Sequence, residues 1–220
     1  MDEQIITFIG TNQLLASQFK SNSFIVEEFG RNTFPKINLT DKNLDEQISA
    51  VLANTKSNKF IISSGFLQSK QIVEQDFDER VNSFLVNSIG PVLVSEYILK
   101  KINDARVYII GSESGYKGSF DLTYALAKSS LRMFVRQRSV KENQQLLLIS
   151  PSTIEDWGMT KRRNDFDNLK KYKNNHPKKR FLNSSEIFDI LNYLLSSPIY
   201  LTNTEIEING GKFALMKSLI

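Results

Sequence analysis

The stretch Arg106-Val-Tyr-Ile-Ile-Gly-Ser112-Glu-Ser-Gly115, with Asp121-Leu-Thr-Tyr124-Ala-Leu-Ala-Lys128 soon after it, decides how this chain is read. Arg106 to Ile110 is a short run of β-favouring residues, of the kind that forms a parallel strand covered on both faces. Residues 121–140 carry a helical pattern, and positions four apart on a helix share a face, so Tyr124 and Lys128 can point into one site. A free tyrosine has a pKa of about 10 and gives up its proton poorly at neutral pH. A neighbouring ammonium favours the phenolate and would bring that pKa toward the range useful for acid–base work. A tyrosine and a lysine at this spacing also occur on many surface helices. The pair takes its meaning from what surrounds it.

Outward from this stretch, further short apolar runs read as strands: Ile5 to Ile9, Phe24 to Val26, Phe60 to Ile62, Gln145 to Ile149 and the alternating Thr204 to Asn209. Helical patterns at 12–20, 43–54, 77–102 and 184–196 lie between them. Asn183-Ser-Ser-Glu186 before the last is a good helix start. Strand–helix alternation predicts an α/β fold, a Rossmann-like doubly wound parallel sheet. No repeat or linker interrupts residues 1–220, so a single domain is expected, with 155–182 as an excursion from it. In such folds ligands sit at the carboxyl ends of the strands.

Composition narrows the chemistry. With 40% hydrophobic and 24% charged residues over 220 positions, the chain has ordinary globular proportions. It has no cysteine and one histidine, His176, which excludes disulfides, thiolate nucleophiles and a multi-histidine metal site within one chain. No metal is expected, and His176 beside Pro177 reads as a loop residue without a role. No apolar run is long enough to span a membrane and the first ten residues do not resemble a secretory signal, so a cytoplasmic protein with no membrane contact is expected. The formal net charge of +4 is unevenly spread: Thr160 to Arg180 holds nine Lys/Arg and two Asp, a net of +7, and the rest of the chain sums to −3. The bland account of this strip is a solvated lysine-rich helix. The functional account places its cations, Lys170, Lys171 and Lys173 among them, beside the mouth of a substrate site. Few aromatic residues interleave with the charge, so no nucleic-acid partner is expected.

The ordered set Gly10, Ser63-Ser64-Gly65, Val86-Asn87-Ser-Ile-Gly90, Ser112-x-x-Gly115, Tyr124-x-x-x-Lys128, Ser150-Pro151-Ser152 and the closing Ile208-Asn-Gly-Gly211 resembles the short-chain dehydrogenase/reductase family along nearly the whole chain. The resemblance implies an NAD(P)-dependent oxidoreductase with a catalytic tetrad. Tyr124 would be the general acid for ketone reduction, or the base for alcohol oxidation. Lys128 would lower the Tyr124 pKa and hold the nicotinamide ribose. Ser112, with Ser114 as a possible substitute, would bond the substrate oxygen. Asn87 would bind a water of the proton relay; its alternative is a polar residue tucked under a helix bend near Pro91.

For the cofactor, the resemblance implies contacts from Gly10, Thr11, Asn12, Gln13, Leu14, Arg31, Asn38, Ser63, Ser64, Gly65, Pro151 and Ile154, besides Tyr124 and Lys128. The glycine-rich turn keeps only Gly10, with Gln13 and Ala16 at the other two glycine places. Arg31 after the second strand favours NADP(H); Glu27 and Glu28 nearby leave NAD(H) possible. Trp157 and Met159 fall where the family builds its substrate lid and would touch substrate. A small, anionic substrate is expected: a phosphorylated or nucleotide-linked sugar, or a carrier-bound acyl group. A homodimer or homotetramer is implied through the helices at 77–102 and 121–140. Two rivals stay open. One is a sugar-nucleotide epimerase or dehydratase using the same Tyr/Lys pair; the other is a non-catalytic dinucleotide sensor or interaction protein, for which Gln13 speaks.

Overall fold

The computed structural model describes residues 4–10, 12–162 and 165–214. Six strands, β1 (Ile5–Ile9), β2 (Ile25–Phe29), β3 (Lys59–Ile62), β4 (Arg106–Ile110), β5 (Gln145–Pro151) and β6 (Thr204–Ile208), form one sheet in the order β2-β1-β3-β4-β5-β6. Every neighbouring pair is parallel. Between them lie α1 (Gln13–Ser21), α2 (Leu44–Asn54), α3 (Phe77–Phe84), α4 (Gly90–Lys101), α5 (Ser114–Lys117), α6 (Leu122–Gln137), α7 (Gly158–Lys161), α8 (Phe166–Asn175) and α9 (Ser184–Leu194).

Strand alternation divides the core. Ile9, Phe60, Ile62, Val107, Ile109, Leu146 and Leu148 face one way and pack on α2, α4 and α6. Ile6, Phe8, Ile61, Tyr108, Ile110, Leu147 and Ile149 face the other way and pack on α1 and α9. Both faces are therefore covered, which is why the strands read as unbroken apolar runs. The expected doubly wound α/β sheet is what forms. Among the described residues no helix is long and apolar enough to cross a membrane.

The structure departs from the sequence reading in three places. The second strand, expected over Phe24 to Val26, runs instead over Ile25–Phe29. The helix expected over 77–102 is interrupted by a π turn at Leu85–Ile89. The Gly90 N–H there bonds the Leu85 carbonyl, and Pro91, next in line, has no N–H to offer the Val86 carbonyl. Val86 instead accepts a 2.9 Å bond from the Ser64 hydroxyl, which ties the turn to the end of β3. Within 155–182 the chain forms α7 and α8 and returns through a bridge between Ile154 and Leu182. The α9 start is the predicted one: Asn183 accepts from the Glu186 N–H and Glu186 from the Asn183 N–H.

The order 2-1-3 places the topological switch between β1 and β3, and the crevice opens at their carboxyl ends. Gly10 and Ser63-Ser64-Gly65 lie at this point, with Gly111–Ser112 and Ser150–Pro151 beside them at the ends of β4 and β5.

Candidate active site

Asp121 caps α6 and so fixes where Tyr124 points. Fully buried, it accepts from the Tyr124 N–H (3.1 Å), the Gln75 side chain (3.0 Å) and the Gln68 N–H (2.8 Å). One carboxylate thereby starts the helix and holds the 68–75 loop over it. One turn on, Lys128 is 3% exposed and donates to the Ile110 carbonyl (3.0 Å) and the Ser64 carbonyl (3.2 Å). Its Nζ lies 5.9 Å from the centroid of the Tyr124 ring. Ser112, at the end of β4, accepts from the Ser114 N–H at 3.1 Å, and its hydroxyl is within reach of the Tyr124 phenol. Tyr124, Ser112 and Lys128 thus come together as the sequence predicts.

The electrostatics correct one expectation. Lys128 should lower the Tyr124 pKa, yet the phenol is raised above its ordinary range. Burial is the main cause, the Ser112 hydroxyl pulls the other way, and the Asp121 charge adds to the rise. Burial also brings Lys128 itself down to about 7. A lysine held there is only partly charged at neutral pH, so it contributes little of the positive field that would favour a phenolate.

Asn87 is wholly buried, and its side chain is spent on protein. Its Oδ1 accepts from the Phe66 N–H (2.9 Å), and its Nδ2 faces the Phe66 carbonyl (2.7 Å), the Ser83 carbonyl (2.9 Å) and the Ser83 hydroxyl (3.3 Å). It sits in the π turn before Pro91, which is the helix-bend alternative raised from sequence. The side chain locks the loop after β3 to the helix.

A cavity of about 770 Å³ opens beside Tyr124. Ser112, Ser114, Pro151, Ile154, Trp157 and Met159, all predicted site residues, line it. The bridge to Leu182 uses the Thr153 carbonyl and the Glu155 N–H, so neither of its bonds takes the N–H or C=O of Ile154. Sequence reasoning missed other wall residues: Gln68, Asp121, Glu113, Lys117 and Lys212. For Asp121 a signal was available, a capping aspartate before a helical run. For Glu113 and Lys212, ninety-nine positions apart, none was.

The remaining predicted residues lie at the switch point. Gly10 has φ +90°, and a Cβ there would come within 2.9 Å of the Ser64 N, so β1 and the loop after β3 meet without a side chain between them. Thr11 lies outside the described residues. Asn12 caps α1 by accepting from the Leu15 N–H at 3.2 Å. Gln13 and Leu14 are exposed at the first turn, while Ala16 is buried in the third glycine place. The Ser63 and Ser150 hydroxyls are buried and have no hydrogen-bond partner among the described residues. Gly65 lies under the Met159 side chain. Arg31 is exposed beyond β2, and the Asn38 Oδ1 is engaged by Thr40. Neither acid of β2 is available at its end: Glu27 bonds Thr7, Thr55 and the Lys56 N–H, and Glu28 pairs with Lys20.

Of the basic strip, Arg162 reaches the cavity wall, but the three lysines singled out from the sequence do not. Lys170 and Lys171 are exposed and off the cavity wall, and Lys173 pairs with Glu155 at 2.6 Å. On α8 it is Asn168 and Tyr172, one turn apart, that reach the cavity, joined by Arg162 from the end of α7. A helix shows one face to a site, and the three lysines are on the wrong one. His176, expected in a loop, follows the end of α8 as its C-cap; it is buried, and its Nδ1 accepts from the Lys178 N–H at 3.1 Å.

No protein-family model matches the chain, and no curated protein sequence matches it significantly. Solved structures do. Sorbitol-6-phosphate 2-dehydrogenase from Erwinia amylovora aligns with a TM-score of 0.81 at 17% identity, over 96% of this chain and 100% of that one. A short-chain dehydrogenase from Leptospira borgpetersenii with bound NAD+ aligns at 0.81 and 18% identity, over 95% of this chain and 92% of that one. Ligand-free aldohexose dehydrogenase from Thermoplasma acidophilum gives 0.79 at 13% identity, over 99% and 98%. At these identities the likeness is one of fold, and the fold of this chain is that of the short-chain dehydrogenases/reductases.

Proposed function

We propose that this chain is an NAD(P)-dependent oxidoreductase that reduces a ketone or oxidises a secondary alcohol. The observation that carries the reading is that Tyr124 and Ser112 share one cavity wall at the carboxyl end of β4, with Lys128 buried one helical turn on. In the reducing direction the neutral phenol, favoured by burial, gives its proton to the substrate oxygen, which Ser112 holds. In the oxidising direction the same phenol must first be deprotonated, so alkali favours it.

The residues present fit a dinucleotide. Gly10 leaves backbone bare at the switch point, and the buried hydroxyls of Ser63 and Ser150 have no partner among the described residues. Gly10, Asn12, Gln13 and Leu14, with Thr11, would line the phosphates. Asn38 would meet the adenine, Ser63, Ser64, Gly65 and Lys128 the riboses, and Pro151 and Ile154 the nicotinamide. When bound, such a cofactor supplies or accepts the hydride. With both β2 acids engaged elsewhere and Arg31 exposed, NADP(H) is preferred over NAD(H).

Residues 1–220 act as a single domain in this reading, with 155–182 as a lid over a small, anionic substrate and Trp157 and Met159 in contact with it. Exposed apolar residues Phe77, Leu122, Leu126 and Met133 on α3 and α6 support a homodimer or homotetramer. Cytoplasmic location, without nucleic-acid or membrane partners, completes the reading. The test is to titrate NADPH and NADH separately, following nicotinamide fluorescence, and then assay Tyr124→Phe. The reading expects one cofactor to bind and turnover to fall at least about 100-fold with cofactor affinity kept. If neither cofactor binds at millimolar concentration, or Tyr124→Phe is as fast as wild type, the reading fails.

A further inference from the structure

Glu113 follows Ser112 directly and is 3% exposed. A single oxygen of its carboxylate, Oε1, takes both Lys117 Nζ at 2.6 Å and Lys212 Nζ at 2.8 Å. The two ammonium groups can therefore be no farther apart than those two bonds laid end to end. Both lysines, like Glu113, line the cavity that holds Tyr124. Burial pushes the Glu113 carboxyl up, but the two lysines, helped by the Ser152 hydroxyl, bring it net below its ordinary range. The carboxylate is ionised at neutral pH and the group is two cations around one anion.

This arrangement is built from distant parts of the chain. Lys117 ends α5, one turn from Glu113. Lys212 arrives from beyond β6, after Gly210 (φ +60°) and Gly211 (φ +82°) turn the backbone through conformations that other residues rarely adopt. Phe213 packs edge-on against Tyr116, with ring centroids 5.4 Å apart, and holds the turn down on α5. Each ammonium has three N–H donors and gives one to Glu113. Of the other acids on the wall, Asp121 has both oxygens engaged by Tyr124, Gln75 and Gln68, and Asp165 comes from the start of α8.

We propose that Lys117 and Lys212, bridged by Glu113, form an anion subsite that takes a phosphate or carboxylate group of the substrate in the same cavity as Tyr124. Among the described residues Glu113 is the one acid paired with either lysine, and a second anion facing it would complete an alternating square of charge. Charge-assisted bonds to two ammonium groups give both affinity and orientation. The inference rests on the oxidoreductase reading for calling the ligand a substrate. The anion subsite itself can be tested without cofactor.

The probe is inorganic phosphate, with acetate as the carboxylate arm, titrated into isotopically labelled wild-type protein and followed by backbone amide NMR. The subsite predicts saturable shifts at Gly111–Gly118 and Gly210–Phe213. Shifts confined to residues 10–14 place the anion at the cofactor loop and overturn it, as does the lack of saturable shifts at tens of millimolar. Lys117→Met with Lys212→Met should weaken phosphate binding at least about tenfold, equivalent to about 1.4 kcal/mol. Lys170→Met should leave it unchanged, and Lys212→Arg should largely restore what Lys212→Met loses. If the double variant melts earlier but binds phosphate like wild type, the triad is only a strap for the chain end. Should the double variant not fold, the wild-type shifts still decide. Failure to bind NADPH or NADH with these shifts present would remove the oxidoreductase reading and leave the subsite standing.

Discussion

Lys128→Met isolates the cost of burying an amine that has no carboxylate beside it among the described residues. The Lys128 Nζ has two carbonyl acceptors, and burial brings it from its ordinary 10.5 to about 7. In the unfolded chain the amine stays protonated up to about 10.4. Below about pH 7 both states are protonated, and the fold carries the full penalty of a desolvated ammonium. Between about 7 and 10.4 the unfolded state binds the extra proton, so stability rises with pH through this window and the penalty is gone above it. One pKa unit corresponds to about 1.4 kcal/mol, so allowing for half-titration at the lower end, the wild type should gain roughly 2 kcal/mol over Lys128→Met between pH 7 and pH 9. Comparing the change with pH in the two proteins cancels the pH-independent loss of the bonds to Ser64 and Ile110. The assay is urea unfolding of the cofactor-free proteins at half-unit pH steps. Parallel stability curves, or a wild type that loses stability relative to the variant as pH rises, would refute the reasoning.

Asn87→Ala, which strands the Phe66 N–H and carbonyl and the Ser83 carbonyl in a buried site, should cost about 3 kcal/mol in urea unfolding; a loss under 1 kcal/mol would mean the loop after β3 does not depend on it. Gly10→Ala puts a side chain at φ +90° against the Ser64 N, so it should destabilise the fold by about 2 kcal/mol and weaken dinucleotide binding. An unchanged melting temperature and affinity would show that the switch point tolerates a methyl group. With the Tyr124 phenol raised above its ordinary range, alcohol oxidation should still be climbing at about pH 10, and the limb should vanish in Tyr124→Phe. A plateau below pH 8 that depends on Tyr124 would contradict the effect of burial.

The sequence by itself determined the strands of the sheet and the helix that carries Tyr124 and Lys128. Ile5 to Ile9, Arg106 to Ile110 and Gln145 to Ile149 read as strands because buried parallel strands must be apolar on both faces, which is a local signal. Tyr124 and Lys128 were legible for the same reason, since helical spacing alone puts them on one face. The pairing of Asn87 with Phe66 was half legible, as a bend near Pro91, because a missing N–H can be read from one residue type. Only the tertiary structure decided which cations meet the site. Net charge placed them in 160–180, but the turn of α8 sends Lys170 and Lys171 outward and only Arg162 of that stretch is on the cavity wall among the described residues, while Glu113 gathers Lys117 and Lys212, ninety-five positions apart in the sequence. Burial also decided the sign of the Tyr124 shift. Spacing says which groups can be neighbours; desolvation depends on everything packed around them, and no local pattern records it.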